Sequence, residues 1–217
     1  MGVMELLLPP ACAGCGRYGA VLCFACLAGL RSARTPENRF GGADPGIVVG
    51  EALELAIAAF VHEGATRRAL QRLKYGGAAA LAAPLARQAL PALRDLLAMV
   101  DGEVALVPVP VHPQRQRQRG YNQAALLAGE LATRIGLPLR DVLVRTSPTA
   151  RQHGLNRAAR LHNLRGAFGL AEPPPPGVAA VLVDDILTTS ATLEACAEVL
   201  RSSGVNRVVG FAIAREV

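Results

Sequence analysis

Two periods of hydrophobicity alternate along the chain and divide it into strands and helices. Residues 104–109 and 178–183 are unbroken apolar runs of the kind that fill parallel strands buried on both faces, and 53–61 and 142–144 read as further strands. Between them the period lengthens. In residues 65–75, Ala69, Leu70 and Leu73 make one apolar side, with Arg67, Arg68, Arg72 and Lys74 around it, and Gly76-Gly77 stops the helix. Residues 78–100 continue as helix, with breaks expected at Pro84 and Pro91. Residues 121–135 turn Leu126, Leu127, Leu131 and Ile135 toward a sheet, and Gly136 ends that helix. This strand–helix alternation specifies an α/β fold, a parallel sheet flanked by helices.

The run 178–183 stops at Asp184 and Asp185, and Thr188, Thr189, Ser190, Ala191 and Thr192 follow before Leu193, Ala195, Ala197, Val199 and Leu200 carry a helix. Ligands of open α/β sheets collect at the carboxyl ends of strands. Paired carboxylates in that place hold sugar hydroxyls or a cation that bridges to phosphate, which makes Asp184 and Asp185 the candidate catalytic pair. The hydroxyls of the turn and the free N–H groups of the helix start add an anion site. A strand end with threonines capping a helix would use the same residue types. A receiver domain would need more than the 32 residues that follow Asp185, and the G-x-G-x-x-G of a dinucleotide site is absent. Upstream, PVPVH closes the 104–109 strand, and QRQRQRG at 114–120 puts Arg115, Arg117 and Arg119 at alternate positions. In an extended loop these three point to one side.

Charge adds a direction to this picture. Twenty-two of the 23 basic residues are Arg and one, Lys74, is Lys. Residues 110–170 hold ten Arg against Glu130 and Asp141, a net +8 in a chain whose total is +6. Arginine forks match phosphates, pyrophosphate or nucleic acid, although a solvated basic face would look the same. No span or export signal is expected: residues 78–100 contain Arg87, Arg94 and Asp95, and Glu5, Pro9 and Pro10 break up the first apolar patch, so the reading is cytoplasmic.

Cys12, Cys15, Cys23 and Cys26 are spaced C-x2-C-x7-C-x2-C. Each pair turns two thiolates toward one ion, and four close a tetrahedral structural zinc site; disulfides or an iron–sulfur cluster are the alternatives. Thirty residues bury little core, so metal would supply most of their folding free energy. The chain divides accordingly into a zinc-binding finger (1–31), a Gly- and Pro-rich linker (32–50) and the α/β domain (51–217). His62-Glu63 lacks the second histidine of H-E-x-x-H, since position 66 is Thr, and His62 is read as structural.

VLVDDILTTSAT, residues 181–192, resembles the phosphoribosyl pyrophosphate signature of type I phosphoribosyltransferases. The resemblance implies that the acids hold ribose hydroxyls and that Thr188, Thr189, Ser190, Ala191 and Thr192 hold the 5′-phosphate. It further implies that 109–120 receives pyrophosphate and that 145–166 is a mobile catalytic loop. With LLLPP before the cysteines, LKYGG, VPVPVH, RGYNQA and RQHGLNRAARLHNLRGAF, the chain is similar to the ComF family, bacterial competence and DNA-uptake proteins with a zinc finger and a phosphoribosyltransferase-like domain. By that resemblance Arg119, Gly120, Tyr121, Asn122 and Gln123 form one block, and Gln152, Leu155, Arg160, Asn163 and Phe168 another. Arg115, Arg117, Arg119, Asn122, Gln152 and Arg160 become candidates for pyrophosphate or nucleic-acid phosphate, while Leu155 and Phe168 are read as structural. Two residues depart from the signature. Ser190 stands in the usual place of Gly, and would cost about 1 to 2 kcal/mol if the loop needs positive φ. Thr188 replaces the carboxylate base of hypoxanthine-type enzymes, which argues against a 6-oxopurine acceptor.

The resemblance implies a competence protein that binds or processes incoming single-stranded DNA, with phosphoribosyl pyrophosphate and Mg²⁺, or a nucleotide phosphate, in the pocket. It also implies recruitment to the inner face of the membrane by the uptake machinery. An active phosphoribosyltransferase on an unidentified acceptor, and a scaffold docking a DNA helicase or translocase through the zinc finger, are the alternatives.

Overall fold

The computed structural model describes residues 9–33, 50–146, 164 and 166–216. In chain order the elements are α1 (Phe24–Ala28), β1 (Leu55–Val61), α2 (Gly64–Tyr75), α3 (Ala82–Leu97), β2 (Val104–Pro108), α4 (Pro113–Arg119), α5 (Gln123–Ile135), β3 (Leu143–Arg145), β4 (Phe168–Leu170), β5 (Ala179–Leu187), α6 (Ala191–Ser202) and β6 (Val208–Arg215). The central sheet runs β1–β6–β5–β2 with every pairing parallel, as an α/β chain of this pattern requires. β3 and β4 make a separate antiparallel pair.

Alternation along each strand assigns side chains to two buried layers. Ile57 and Ala59 of β1, Leu106 of β2, Val181 and Val183 of β5, and Phe211 and Ile213 of β6 pack with α2, α3 and α5. Their neighbours Ala56, Ala58, Val107, Ala180, Leu182 and Ala212 pack with α6 and the β3–β4 pair. Both faces are covered, which is why the strand sequences are apolar over most of their length. Short segments cover the sheet edges. Arg31 O accepts from Val61 N and Ala33 N donates to Ala59 O along β1, while Pro138 O accepts from Leu106 N and Arg140 N donates to Leu106 O along β2.

One buried acid ties the second layer to the start of β1. Glu194, 4% exposed on α6, accepts the backbone N–H groups of Glu51 (2.9 Å), Ala52 (2.7 Å) and Leu53 (3.4 Å). Gly50 sits against the same carboxylate, where any Cβ would collide with it.

Three sequence expectations are corrected. Helix α3 is continuous over Ala82–Leu97 with Pro91 inside it, so neither proline breaks it. Pro84 falls in the first turn, where a missing N–H is harmless, and the fully buried side formed by Leu85, Ala86, Ala89, Leu93 and Leu96 outweighs the bond lost at Pro91. Strand β5 does not stop at the acids but runs through them to Leu187, because β6 continues alongside and pairs Asp184 with Ala212 and Ile186 with Ala214. Residues 113–119 form a helix, not an extended loop: His112 caps it by accepting from Gln114 N, Pro113 starts it, and Gly120 ends it at φ 84°.

Candidate functional site

The carboxyl ends of β2 and β5 open into a cavity of about 800 Å³. Its lining brings together Lys74 and Tyr75 from the end of α2, Arg115 and Arg119 from α4, and Asn122 and Gln123 from the start of α5. Arg145 of β3, Asp184 and Asp185 of β5, Thr188 and Thr192 of the following turn, and Glu216 complete it. Among the described lining residues four cations face three acids.

Of the three acids Asp185 is buried, at 6% exposed, and Glu216 is exposed. Asp184 Oδ1 accepts the backbone N–H of Asp185 at 2.8 Å, and Lys74 Nζ pairs with Asp185 Oδ2 at 2.9 Å. Burial and then the charge of Asp185 push the Asp184 carboxyl up to about 7, against the opposing pull of Lys74 and the Asp185 N–H. After β5, Ser190 adopts φ 58°, the one positive-φ residue other than glycine among the described residues. Its hydroxyl donates to Thr189 O at 2.6 Å, and α6 begins at Ala191. The expected need for positive φ at this position is therefore present in the backbone.

The helical form of 113–119 sorts the arginines. Positions 115 and 119 are one turn apart and both reach the cavity, whereas Arg117, 200° away from Arg115 at about 100° per residue, is not among its lining residues. Arg119 donates to Gln123 Oε1 at 2.7 Å and lies 5.0 Å from the centre of the Tyr75 ring. Asn122 both caps α5, accepting from Ala124 N at 3.0 Å, and donates through Nδ2 to Val109 O at 3.0 Å, which fastens the helix start to the end of β2. Thr188 and Thr192 line the cavity; Thr189 and Ser190 contribute backbone to the turn instead. Gln152 and Arg160 lie outside the described residues, as do Leu155 and Asn163. Phe168 is buried in the second layer, in keeping with a structural role.

Sequence reasoning missed Lys74 as a member of this site and placed Arg145 only as the first residue of the expected 145–166 loop, where the structure makes it the last residue of β3. Arg145 sits 5.2 Å from the centre of the Phe168 ring and is desolvated, which lowers its pKa. Its position depends on the β3–β4 pairing, which no local pattern announces. Lys74 carried a signal that composition had exposed, as the only lysine in an arginine-rich chain.

The four cysteines form a second constellation. All four sulfur atoms lie within 4.8 Å of one another, and Cys15 Sγ is 3.7 Å from Cys23 Sγ. A tetrahedral ion with metal–sulfur bonds of about 2.3 Å sets its sulfurs about 3.8 Å apart, so the set fits a metal ion such as zinc. Burial raises the Cys12 thiol, but backbone N–H bonds from Cys23, Cys15 and Gly14 overcome it and bring it down to about 6. Burial and bonds shared with the other sulfurs push Cys26 up to about 12. The knuckle is held from outside as well: Arg68 Nε donates to Gly14 O at 2.6 Å and Arg72 to Ala11 O at 3.1 Å, both from α2. Cys12, Ala13 and Leu22 pack into the α2–α3 layer.

No family model matches the chain. Competence protein F of Haemophilus influenzae is 37% identical over 153 residues, 67% of this chain and 66% of that protein. The chain belongs to the ComF family. DNA utilization protein YhgH of Salmonella typhi is 36% identical over 140 residues, 64% of this chain and 60% of its own length. Competence protein ComFC of Bacillus subtilis is 34% identical over 104 residues, 48% and 41% of the two chains. The chain thus spans just under two thirds, or less, of the length of these ComF-type relatives. No helix among the described residues is long and apolar enough to cross a membrane.

Proposed function

We propose that this ComF-family chain binds a phosphoribosyl or nucleotide 5′-phosphate ligand in the cavity and acts in natural competence by handling incoming single-stranded DNA. The relatives' names, competence protein and DNA utilization protein, support the process. The observation that carries the ligand is the convergence of Asp184, Asp185, Thr188, Thr192 and the start of α6 with Arg115 and Arg119 in one cavity. In this reading the α6 N–H groups and the threonine hydroxyls take the 5′-phosphate, because a helix start offers free donors and a positive dipole end. The acids take ribose hydroxyls and a Mg²⁺ ion, and the arginines take pyrophosphate or the strand's phosphates. The four-cysteine finger binds zinc as a structural unit, and the division into finger (1–31), linker (32–50) and phosphoribosyltransferase-like domain (51–217) belongs to the same proposal.

Calorimetry tests it, with phosphoribosyl pyrophosphate plus Mg²⁺ and, separately, single-stranded DNA, on the wild type and on Asp184→Asn/Asp185→Asn. The expected result is loss of phosphoribosyl pyrophosphate binding in the double variant. DNA affinity should fall with salt, since phosphate contacts release counterions; affinity that is flat in salt removes the DNA arm. Cation binding needs ionised Asp184, so ligand affinity should rise with pH up to about 7 and level off above it. Loss of both ligands in the double variant places DNA ends and phosphoribosyl pyrophosphate in one pocket.

The presence of Arg115 and Arg119 in the same cavity as the acids also favours a second reading, a transferase that breaks the C1–pyrophosphate bond and passes ribose 5-phosphate to an acceptor. Absence of pyrophosphate release across a panel of bases and amines, under conditions where the ligand binds, sinks that reading.

A further inference from the structure

The chain uses arginine at 22 of its 23 basic positions and lysine once, and that lysine is the side chain placed against the acid pair. Chemistry separates the two cations. A guanidinium grips a carboxylate with two parallel bonds and a fixed plane, whereas an ammonium is a compact point charge that rotates freely on a four-carbon stem. A cation meant to hold Asp185 permanently would be better made of arginine. A cation meant to hold it and then let go is better made of lysine.

The surroundings fix the backbone at Lys74, and its ammonium reaches into the cavity to Asp185 at 2.9 Å. Leu73 O accepts the Tyr121 hydroxyl at 2.7 Å, and Gly76 N closes the helix onto Arg72 O at 2.8 Å, so the residues on both sides are pinned. Arg119 lies over the exposed ring of Tyr75, 5.0 Å from its centre. Lys74 itself lines the cavity together with Arg115 and Arg119, within the same ligand volume. The Nζ atom therefore has two places to go: the carboxylate of Asp185, where it is found, or the anionic part of a ligand that enters beside it.

We propose that Lys74 is a built-in counter-cation that offsets the charge of the Asp184–Asp185 pair and transfers to ligand pyrophosphate when a divalent cation takes its place. This rests on the phosphoribosyl reading of the pocket. One charge then serves twice. It keeps the adjacent carboxylates compatible before the ligand arrives, and it adds a donor to pyrophosphate afterwards. The competition makes divalent cation and pyrophosphate bind better together than either binds alone.

The two roles have opposite signs in mutation, which a merely structural lysine cannot reproduce. Mn²⁺ titrated alone by calorimetry or spin resonance should bind about tenfold more tightly to Lys74→Met than to the wild type, since a competing positive charge is gone. Pyrophosphate titrated with Mn²⁺ saturating should bind about tenfold more weakly. Lys74→Arg should weaken both, because the guanidinium fork locks Asp185. Lys74→Gln repeats the neutral substitution with a polar side chain, and thermal melting of each variant establishes that it is folded. Mn²⁺ affinity that is unchanged or reduced in the folded neutral variants overturns the proposal. If the wild type binds phosphoribosyl pyrophosphate with Mg²⁺ and that happens, the inference fails alone. If the wild type does not bind phosphoribosyl pyrophosphate and the neutral variants still gain Mn²⁺ affinity, the reading of the ligand fails and the counter-cation stands.

Discussion

The cysteine knuckle and the acid-pair cavity are assembled in opposite ways. The knuckle gathers its four sulfurs from 15 consecutive residues and its ligand atoms come within 4.8 Å of one another. The cavity draws its charged groups from five separate segments, bearing Lys74, the pair Arg115 and Arg119, Arg145, the 184–185 pair and Glu216, which meet only when the sheet and both covering layers have formed. A local site can be organised by what it binds. A non-local one has to be organised by the core before it binds anything. Helix α2 is where the two meet, since its Arg68 and Arg72 hold the knuckle's carbonyls and its last turn delivers Lys74 and Tyr75 to the cavity.

The largest expected effect breaks the knuckle alone. Chelation of the metal, or Cys12→Ser, should abolish amide protection from Ala13 to Leu27, because little buried surface remains to order that stretch. The strands of the central sheet should keep theirs, as read by hydrogen exchange. Loss of protection across β5 and β6 as well would show that the two regions fold as one unit, contrary to the contrast drawn above.

The next effect breaks the cavity's scaffold and spares the knuckle. Glu194→Ala removes the acceptor of three backbone N–H groups that hold the entry to β1 against α6. Buried donors left without partners cost about 1 to 3 kcal/mol each at most, and some will find water, so about 3 kcal/mol in total is expected, a fall in Tm of roughly 6 to 12 °C. Zinc content should be unchanged. A variant with wild-type stability would mean that solvent replaces the carboxylate freely.

How legible each region was follows from the same difference. Cysteine spacing states a ligand set outright, since both pairs lie within one turn of chain. Asp184 and Asp185 were legible because an apolar strand leads into them and a helix follows. What local pattern could not show was the strand's continuation to Leu187, which depends on β6 lying alongside. It could not place Arg145, which needs an antiparallel partner 23 residues away at Phe168. At 113–119 the alternation of Gln and Arg carried no apolar residue to reveal a period, and the decisive signals were His112 and Pro113 at the start and Gly120 at the end. That correction makes a prediction about the cavity of intermediate size. Arg115→Ala should weaken phosphoribosyl pyrophosphate binding about tenfold, the scale of one charge-assisted bond, while Arg117→Ala leaves it within about twofold. Equal losses at 115 and 117 would restore the extended loop.

The smallest expected effect tests the point where the cavity carries backbone strain. Ser190 holds φ 58° at the start of α6, a conformation that costs an L-residue with a Cβ about 1 to 2 kcal/mol. Glycine adopts it freely but loses more entropy on folding, about 0.5 to 1 kcal/mol, and forfeits the hydroxyl bond to Thr189 O. These terms nearly cancel, so Ser190→Gly should shift Tm by no more than about 3 °C in either direction. Its effect on the ligand is better defined. In the proposed reading the N–H groups of this turn take the 5′-phosphate, and removing the Cβ lets the backbone approach it more closely without changing the charge of the site. Affinity for a nucleoside 5′-monophosphate should therefore rise severalfold in Ser190→Gly while zinc content and Mn²⁺ affinity stay fixed. A fall in that affinity would mean that the serine hydroxyl turns from Thr189 O to the phosphate and serves as a donor, which makes Ser190 a ligand in its own right and its strained backbone the means of presenting it.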